Sequence, residues 1–284
     1  MIGVFDSGNG GLTIFRELTT RFPHLSFTYL GDHANAPYGN RTSQEILRLT
    51  RNGVEQLFQQ DCRLVILACN TATAIAACTL QHQWLPNSPY RETHNILGII
   101  APTVEVATQT PWATKEPQYP QATNTDTVAI FGTVQTVSSN VYAEEIAKRC
   151  PHVNIVQQAC PHLAGVIEHG ASERELEELV HDYVQEMLTR SGGTPPHWAV
   201  LGCTHYPWVR HLFEQYLPET TRVLCQPKAV ANSLEFYLKR HPEYLGDNTI
   251  AQPIVLTTGA TRQIRPTLQR YWPEVPHIKQ LRRA

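Results

Sequence analysis

Short runs of aliphatic and β-branched residues recur along this chain, and helical patterns fill the spaces between them. The runs are Ile2–Phe5, Phe27–Leu30, Leu64–Ala68, Ile96–Ile100, Val128–Phe131, Asn154–Gln157, Ala199–Leu201, Arg222–Leu224 and Ile254–Leu256. Each has the length of a strand, and several are apolar throughout, as strands covered on both faces must be. The clearest helix spans Ser172–Arg190, with Leu176, Leu179, Val180, Tyr183, Val184, Met187 and Leu188 on one face. Ser172 with Glu175 fits a capping box at its start, as Thr42 with Glu45 does for a helix near 42–60. This alternation predicts an α/β protein with mainly parallel sheets and helices on both faces.

The chain has 284 residues, enough for two modest domains. A change near Ile100–Pro102 divides it into 1–99 plus 208–284 as a first α/β domain and 100–207 as a second. The polar stretch 109–127, rich in proline and threonine, reads as a surface loop. With 23 basic and 25 acidic residues the net charge is −2, so nothing favours nucleic acid as a partner. The opening MIGVFDSG is not a signal peptide, and no apolar run is long enough to span a bilayer. A soluble cytoplasmic protein is the simplest expectation. Seven cysteines, an odd number in a long chain, predict reduced thiols. No CxxC pair occurs, and Cys203 with His205 is at most half a zinc site, so no metal or cofactor is expected.

One internal repeat points to chemistry. LVILACNTAT (64–73) and WAVLGCTHYP (198–207) each join an aliphatic strand, a small residue, a cysteine, small polar residues and a helical pattern. Both thiols then sit at the carboxyl end of a strand, the edge where open α/β sheets bind ligands. Asn70 and Thr71 are placed to cap a helix through Thr73–Gln83, whose N-terminus favours a Cys69 thiolate. Thr204 and His205 follow Cys203 in the same kind of turn, and His205 could hold a proton beside it. A single buried cysteine is more often a small hydrophobe; two in matching turns favour function. Cys62, Cys78, Cys150, Cys160 and Cys225 lack this context and are read as structural.

Other segments converge on the same edge. Asp6-Ser7-Gly8-Asn9-Gly10-Gly11 ends a strand in an acid, a serine and a glycine-rich turn of the kind that brings amides close to an anion. Thr13 stands where a dinucleotide fingerprint needs its third glycine. Asp6 either meets a substrate ammonium or a thiol, or merely caps the turn. Tyr38 and the Gly39 amide lie in a Pro/Gly loop that could contact a carboxylate. Thr133 and Thr136 offer hydroxyls ahead of a helix, as caps or as ligand contacts. Glu168 ends a short apolar pattern, where most glutamates are solvated.

Together these residues resemble glutamate racemases of the aspartate/glutamate racemase superfamily. The matching segments are GVFDSGNGGLT (3–13), YLGDHANAPYG (29–39), ILACNTATA (66–74), IFGTVQTVSSNVY (130–142), CPHLAGVIEHG (160–170) and LGCTHYPWV (201–209). The resemblance implies two pseudo-symmetric α/β domains with the active site in the cleft between them, and a homodimer. It implies cofactor-independent interconversion of L- and D-glutamate, supplying D-glutamate for peptidoglycan. Cys69 and Cys203 would be the two acid/base thiols, with Asp6, His205 and Glu168 assisting. Asp6, Ser7, Tyr38, Gly39, Asn70, Thr71, Thr204 and His205 would bind substrate, and Thr133 and Thr136 are counted with them. The chain departs from the family pattern at Asn9, often aliphatic there, at His33-Ala34-Asn35 and at Cys225-Gln226-Pro227. Two alternatives stay open: a racemase of aspartate or other acidic amino acids, and a non-catalytic dicarboxylate-binding or regulatory protein.

Overall fold

A computed structural model of the chain describes residues 1–114, 116, 117, 119, 126–245, 252–275 and 277–281. Positions 115, 118 and 120–125 of the 109–127 loop therefore lie outside the described residues. In chain order the strands are β1 (Ile2–Asp6), β2 (Phe27–Gly31), β3 (Leu64–Leu67), β4 (Asn95–Gly98), β5 (Thr127–Gly132), β6 (Asn154–Ala159), β7 (Trp198–Gly202), β8 (Arg222–Leu224), β9 (Ile254–Thr257) and β10 (His277–Gln280). The α-helices are α1 (Leu12–Arg21), α2 (Ser43–Phe58), α3 (Asn70–Thr79), α4 (Ile100–Thr108), α5 (Val134–Ser138), α6 (Val141–Arg149), α7 (Leu163–His169), α8 (Glu173–Arg190), α9 (Arg210–Tyr216), α10 (Gln226–Arg240) and α11 (Thr261–Tyr271). Two sheets result, ordered β10-β9-β2-β1-β3-β4 and β6-β5-β7-β8. All their pairings are parallel.

Strand alternation explains how each sheet is covered on both faces. In β3, Leu64 and Ile66 enter the core under α1 and α10, whereas Val65 and Leu67 enter the core under α2 and α3. In the second sheet Ala129 and Phe131 of β5 meet α7, α8 and α9, while Val128 and Ile130 meet α4 and α6. Thr42 and Glu45 complete the capping box of α2; Ser172 caps α8 through its hydroxyl.

Two expectations are corrected, and one strand was missed. Residues 208–224 belong with the second sheet, because β8 pairs β7 and Leu212, Phe213 and Leu217 pack into that core; the return to the first sheet begins with α10. Ile100 starts α4 rather than ending a strand. β10 escaped the sequence reading because it is an edge strand with only Ile278 buried, so it shows no apolar run. What matters for function is the carboxyl edge. Asp6 ends β1, Cys69 follows β3, Thr133 follows β5 and Cys203 follows β7. The two edges meet: the Thr71 and Thr133 hydroxyls lie 3.0 Å apart, and the Thr204 hydroxyl donates to Asp6 Oδ2 at 3.3 Å.

Candidate active site

Where the edges meet there is a cavity of about 440 Å³, bordered by both Cys69 and Cys203. That volume suits a small molecule held largely out of water. Ser7, Tyr38, Gly39, Asn70, Thr71, Thr133, Glu168, Thr204 and His205 also line it; Asp6 and Thr136 do not. Both cysteines are 5% exposed, so each sulfur is nearly dry yet reachable from the cavity. All seven cysteines are free thiols.

Cys69 is itself the N-cap of α3: the Ala72 N–H donates to its sulfur at 3.4 Å, so the helix begins at Asn70 rather than after a capping Asn70 or Thr71. Ser7 Oγ lies 3.4 Å from the same sulfur. Helix N-terminus and hydroxyl both favour thiolate, but burial wins. Desolvation, then the nearby Asp6 charge, push the Cys69 thiol up to about 12, opposite to the lowering expected from helix position alone. Asp6 is wholly buried beneath, and burial raises its carboxyl to about 6 against the pull of His205 and the Gly8 amide. Its Oδ1 accepts the Gly8 N–H at 2.7 Å. The anion gathered by the glycine-rich turn is thus the protein's own Asp6, which caps the turn and also sits beside a thiol. Gly10 has a separate reason: a Cβ there would lie 2.5 Å from Thr204 Oγ1 and 2.6 Å from His205 Nδ1.

Cys203 is finished differently. A 3₁₀ turn, Tyr206–Val209, follows it before α9 begins, so it caps no α-helix. Its sulfur lies 3.8 Å from His205 Nδ1, and His205 Nε2 lies 3.3 Å from Glu168 Oε2, close enough for a charge contact though not aligned as a hydrogen bond. Burial opposes a charged His205, yet the Cys203 sulfur and Glu168 together carry it well above the ordinary histidine range. Burial likewise opposes the Glu168 charge, and His205 above all overcomes it and holds the carboxyl low. Glu168 is not the solvated residue its local pattern suggested. It sits in the last turn of α7, where the helix dipole disfavours an anion, so it depends on these partners. Gly170, at φ 75°, closes that helix in the left-handed region glycine favours.

Several predicted contacts are occupied by the protein. The Tyr38 hydroxyl donates to Asp32 Oδ2 at 2.7 Å, leaving its ring to border the cavity. Asn70 Nδ2 donates to Gln226 Oε1 at 2.5 Å, and its Oδ1 accepts from the Tyr142 hydroxyl at 2.7 Å. Asn70 therefore anchors α3 to α6 and α10, and Tyr142 and Gln226 are supports the sequence reading missed. Thr133 caps α5 through the Thr136 N–H at 3.2 Å, and Thr136 supports Thr133 and Thr71 from behind. Cys160, read as structural, borders the cavity with Pro161 and His162. Asn9 and His33 were visible only as departures from a pattern; they stand directly behind Glu168. Among the described residues no group of three or more His, Cys, Asp or Glu side chains could hold a metal ion, and no helix is long and apolar enough to cross a membrane.

No protein-family model matches the chain. Relatives do. A glutamate racemase from Caulobacter sp. (strain K31) is 45% identical over 276 residues, covering 95% of this chain and 96% of that one. A glutamate racemase from Phenylobacterium zucineum (strain HLK1) is 44% identical over 275 residues, with the same coverage of each. Among solved structures, the glutamate racemase isoform RacE1 from Bacillus anthracis superposes with a TM-score of 0.82 at 27% identity, covering 99% of this chain and 97% of that one. The Francisella tularensis glutamate racemase, solved in complex with D-glutamate, shares the fold with a TM-score of 0.82 at 24% identity, over 99% of this chain and 97% of that one.

Proposed function

Because the chain belongs to the glutamate racemase family, we propose that it interconverts L- and D-glutamate with Cys69 and Cys203 as acid/base thiols on opposite faces of the α-carbon. The observation that carries this reading is that both sulfurs, from turns on different sheets, border one cavity.

Racemisation takes the α-hydrogen from one face and returns one to the other. A thiolate on one side and a thiol on the other do this without turning the substrate, and they exchange roles when the reaction runs backwards. The α-carbon acid is much weaker than a thiol, and each pH unit of mismatch costs about 1.36 kcal/mol. The site answers with dryness and fixed dipoles. Ser7, Thr71 and Thr204, with the start of α3, are placed to hold the substrate carboxylate. The substrate ammonium brings the positive charge that the Cys69 side lacks, countering the Asp6 carboxylate and easing ionisation of that thiol. On the other side the charged His205 is a counter-ion for a Cys203 thiolate, and Glu168 sustains the charge. No step requires an electron sink beyond these groups.

Family membership also supports a homodimer in the cytoplasm that supplies D-glutamate for peptidoglycan; light scattering on the purified chain tests the dimer. Circular dichroism of the protein with L-glutamate, and separately with L-aspartate, tests the reaction. Optical activity decays with glutamate and persists with aspartate; decay with aspartate alone would move the assignment to an aspartate racemase.

A further inference from the structure

Behind the Cys203 side of the cavity lies a row of buried polar groups that no part of the proposed mechanism uses. Asn9, 2% exposed, donates through Nδ2 to Glu168 Oε1 at 2.6 Å, while its Oδ1 faces His33 Nε2 at 2.7 Å. His33 Nδ1 lies 2.9 Å from Thr257 Oγ1 and 3.0 Å from the Gly31 carbonyl. Neither Asn9 nor His33 borders the cavity, so neither touches a substrate there. These are also two of the positions at which the sequence departs from the family pattern, and the fold brings them into contact. We infer that Asn9 and His33 form a positioning relay, anchored on Thr257, that holds Glu168 as a carboxylate against His205 on the Cys203 side of the cavity. The inference rests on the function proposed above for its catalytic consequence, but not for its structural one.

Hydrogen-bond polarity gives the row a direction. An ionised carboxylate only accepts, so Asn9 must present its N–H₂ to Glu168. Its carbonyl then faces His33, which obliges His33 to carry hydrogen on Nε2. Burial lowers the His33 pKa, and in the neutral ring Nδ1 accepts from the Thr257 hydroxyl at 2.9 Å, while the Gly31 carbonyl faces it at 3.0 Å with no hydrogen between them. Every donor thus points towards Glu168. The groups gathered there are His205 and Cys203 from the β7 turn, His33 beyond β2, His169 on α7 and Asp6 at the end of β1. An aliphatic residue at position 9 would take from Glu168 the N–H₂ donor and from His33 the carbonyl acceptor that Asn9 gives them in this half-buried place.

The test is nitrogen-15 NMR of the histidine side chains joined to steady-state kinetics. In the wild-type protein His33 appears as the neutral Nε2–H tautomer; an Nδ1–H tautomer there would overturn the relay without any variant. In Asn9→Leu and His33→Leu, checked for native circular dichroism, the His205 titration midpoint falls by about one pH unit. The kcat for glutamate falls about tenfold with KM within twofold. His33→Gln, which can still donate to Asn9 and accept from Thr257, restores both. The α-deuterium isotope effect on kcat/KM rises only in the direction in which Cys203 removes the hydrogen. An unmoved His205 midpoint in both leucine variants, or His33→Gln as damaging as His33→Leu, contradicts the relay. A moved midpoint in a protein that racemises nothing leaves the relay standing and removes the proposed function instead.

Discussion

The turn after β3 and the turn after β7 begin alike and finish in opposite ways. Both follow a buried aliphatic strand with a small residue and a cysteine. The first then runs into a helix capped by the cysteine itself, with a hydroxyl above the sulfur and a buried carboxylate beneath it. The second runs into a 3₁₀ turn and sets an imidazole, a carboxylate and an amide in line behind the sulfur. Burial first, and then the Asp6 charge, keep the first thiol protonated; the second has the charged His205 beside it. A repeat in sequence therefore need not be a repeat in electrostatics. The difference is useful to a two-base enzyme, which needs a thiol on one side and a thiolate on the other at any moment.

The comparison breaks most sharply at the sulfurs. Cys69→Ala and Cys203→Ala should each lower racemisation by about 10²- to 10⁴-fold while native circular dichroism persists, the scale expected when a positioned acid or base is removed. Turnover surviving in only one of the two would show that the turns are not both catalytic. A smaller and more selective effect is expected at Asp6. Its folded pKa of about 6 exceeds the 3.8 of the free side chain, so the unfolded chain gives up that proton first as pH rises. The associated stability is full below pH 4, declines between about pH 4 and pH 6, and is lost above, a change of roughly 3 kcal/mol. Asp6→Asn should remove that decline, measured by urea unfolding at pH 4.5 and 7.5. It should also bring the Cys69 thiol below its value of about 12, because a neighbouring negative charge is gone. Alkylation rates against pH read this directly; an unchanged Cys69 would mean that burial alone sets the asymmetry.

How much of this was legible in the chain follows from which interactions are local. Strands β1, β2, β3 and β5 are buried along their whole length and announce themselves as unbroken apolar runs. β10 exposes all but Ile278 and does not. The cysteines stood out because strand, small residue and cysteine are neighbours in sequence. Glu168 did not, because what makes it a site residue is His205 and Asn9, 37 and 159 residues away along the chain. The thiol pKa was misjudged for the same reason: helix capping is local and readable, while desolvation and the Asp6 charge come from packing. The glycine-rich turn was read as one that brings amides close to an anion, but only the fold shows that its glycines make room for Thr204, His205 and Asp6.

The central claim is that two sulfurs serve opposite faces of one carbon, and hydrogen bookkeeping in heavy water tests it most directly. Each enantiomer of glutamate is incubated with the wild-type protein in ²H₂O, and the α-position of substrate and product is read by NMR at low conversion. Two separate thiols predict deuterium in the product enantiomer while the unreacted enantiomer keeps its original hydrogen, from either starting side. Deuterium accumulating in the unreacted enantiomer as fast as product forms would mean that one base serves both faces, and would contradict the account.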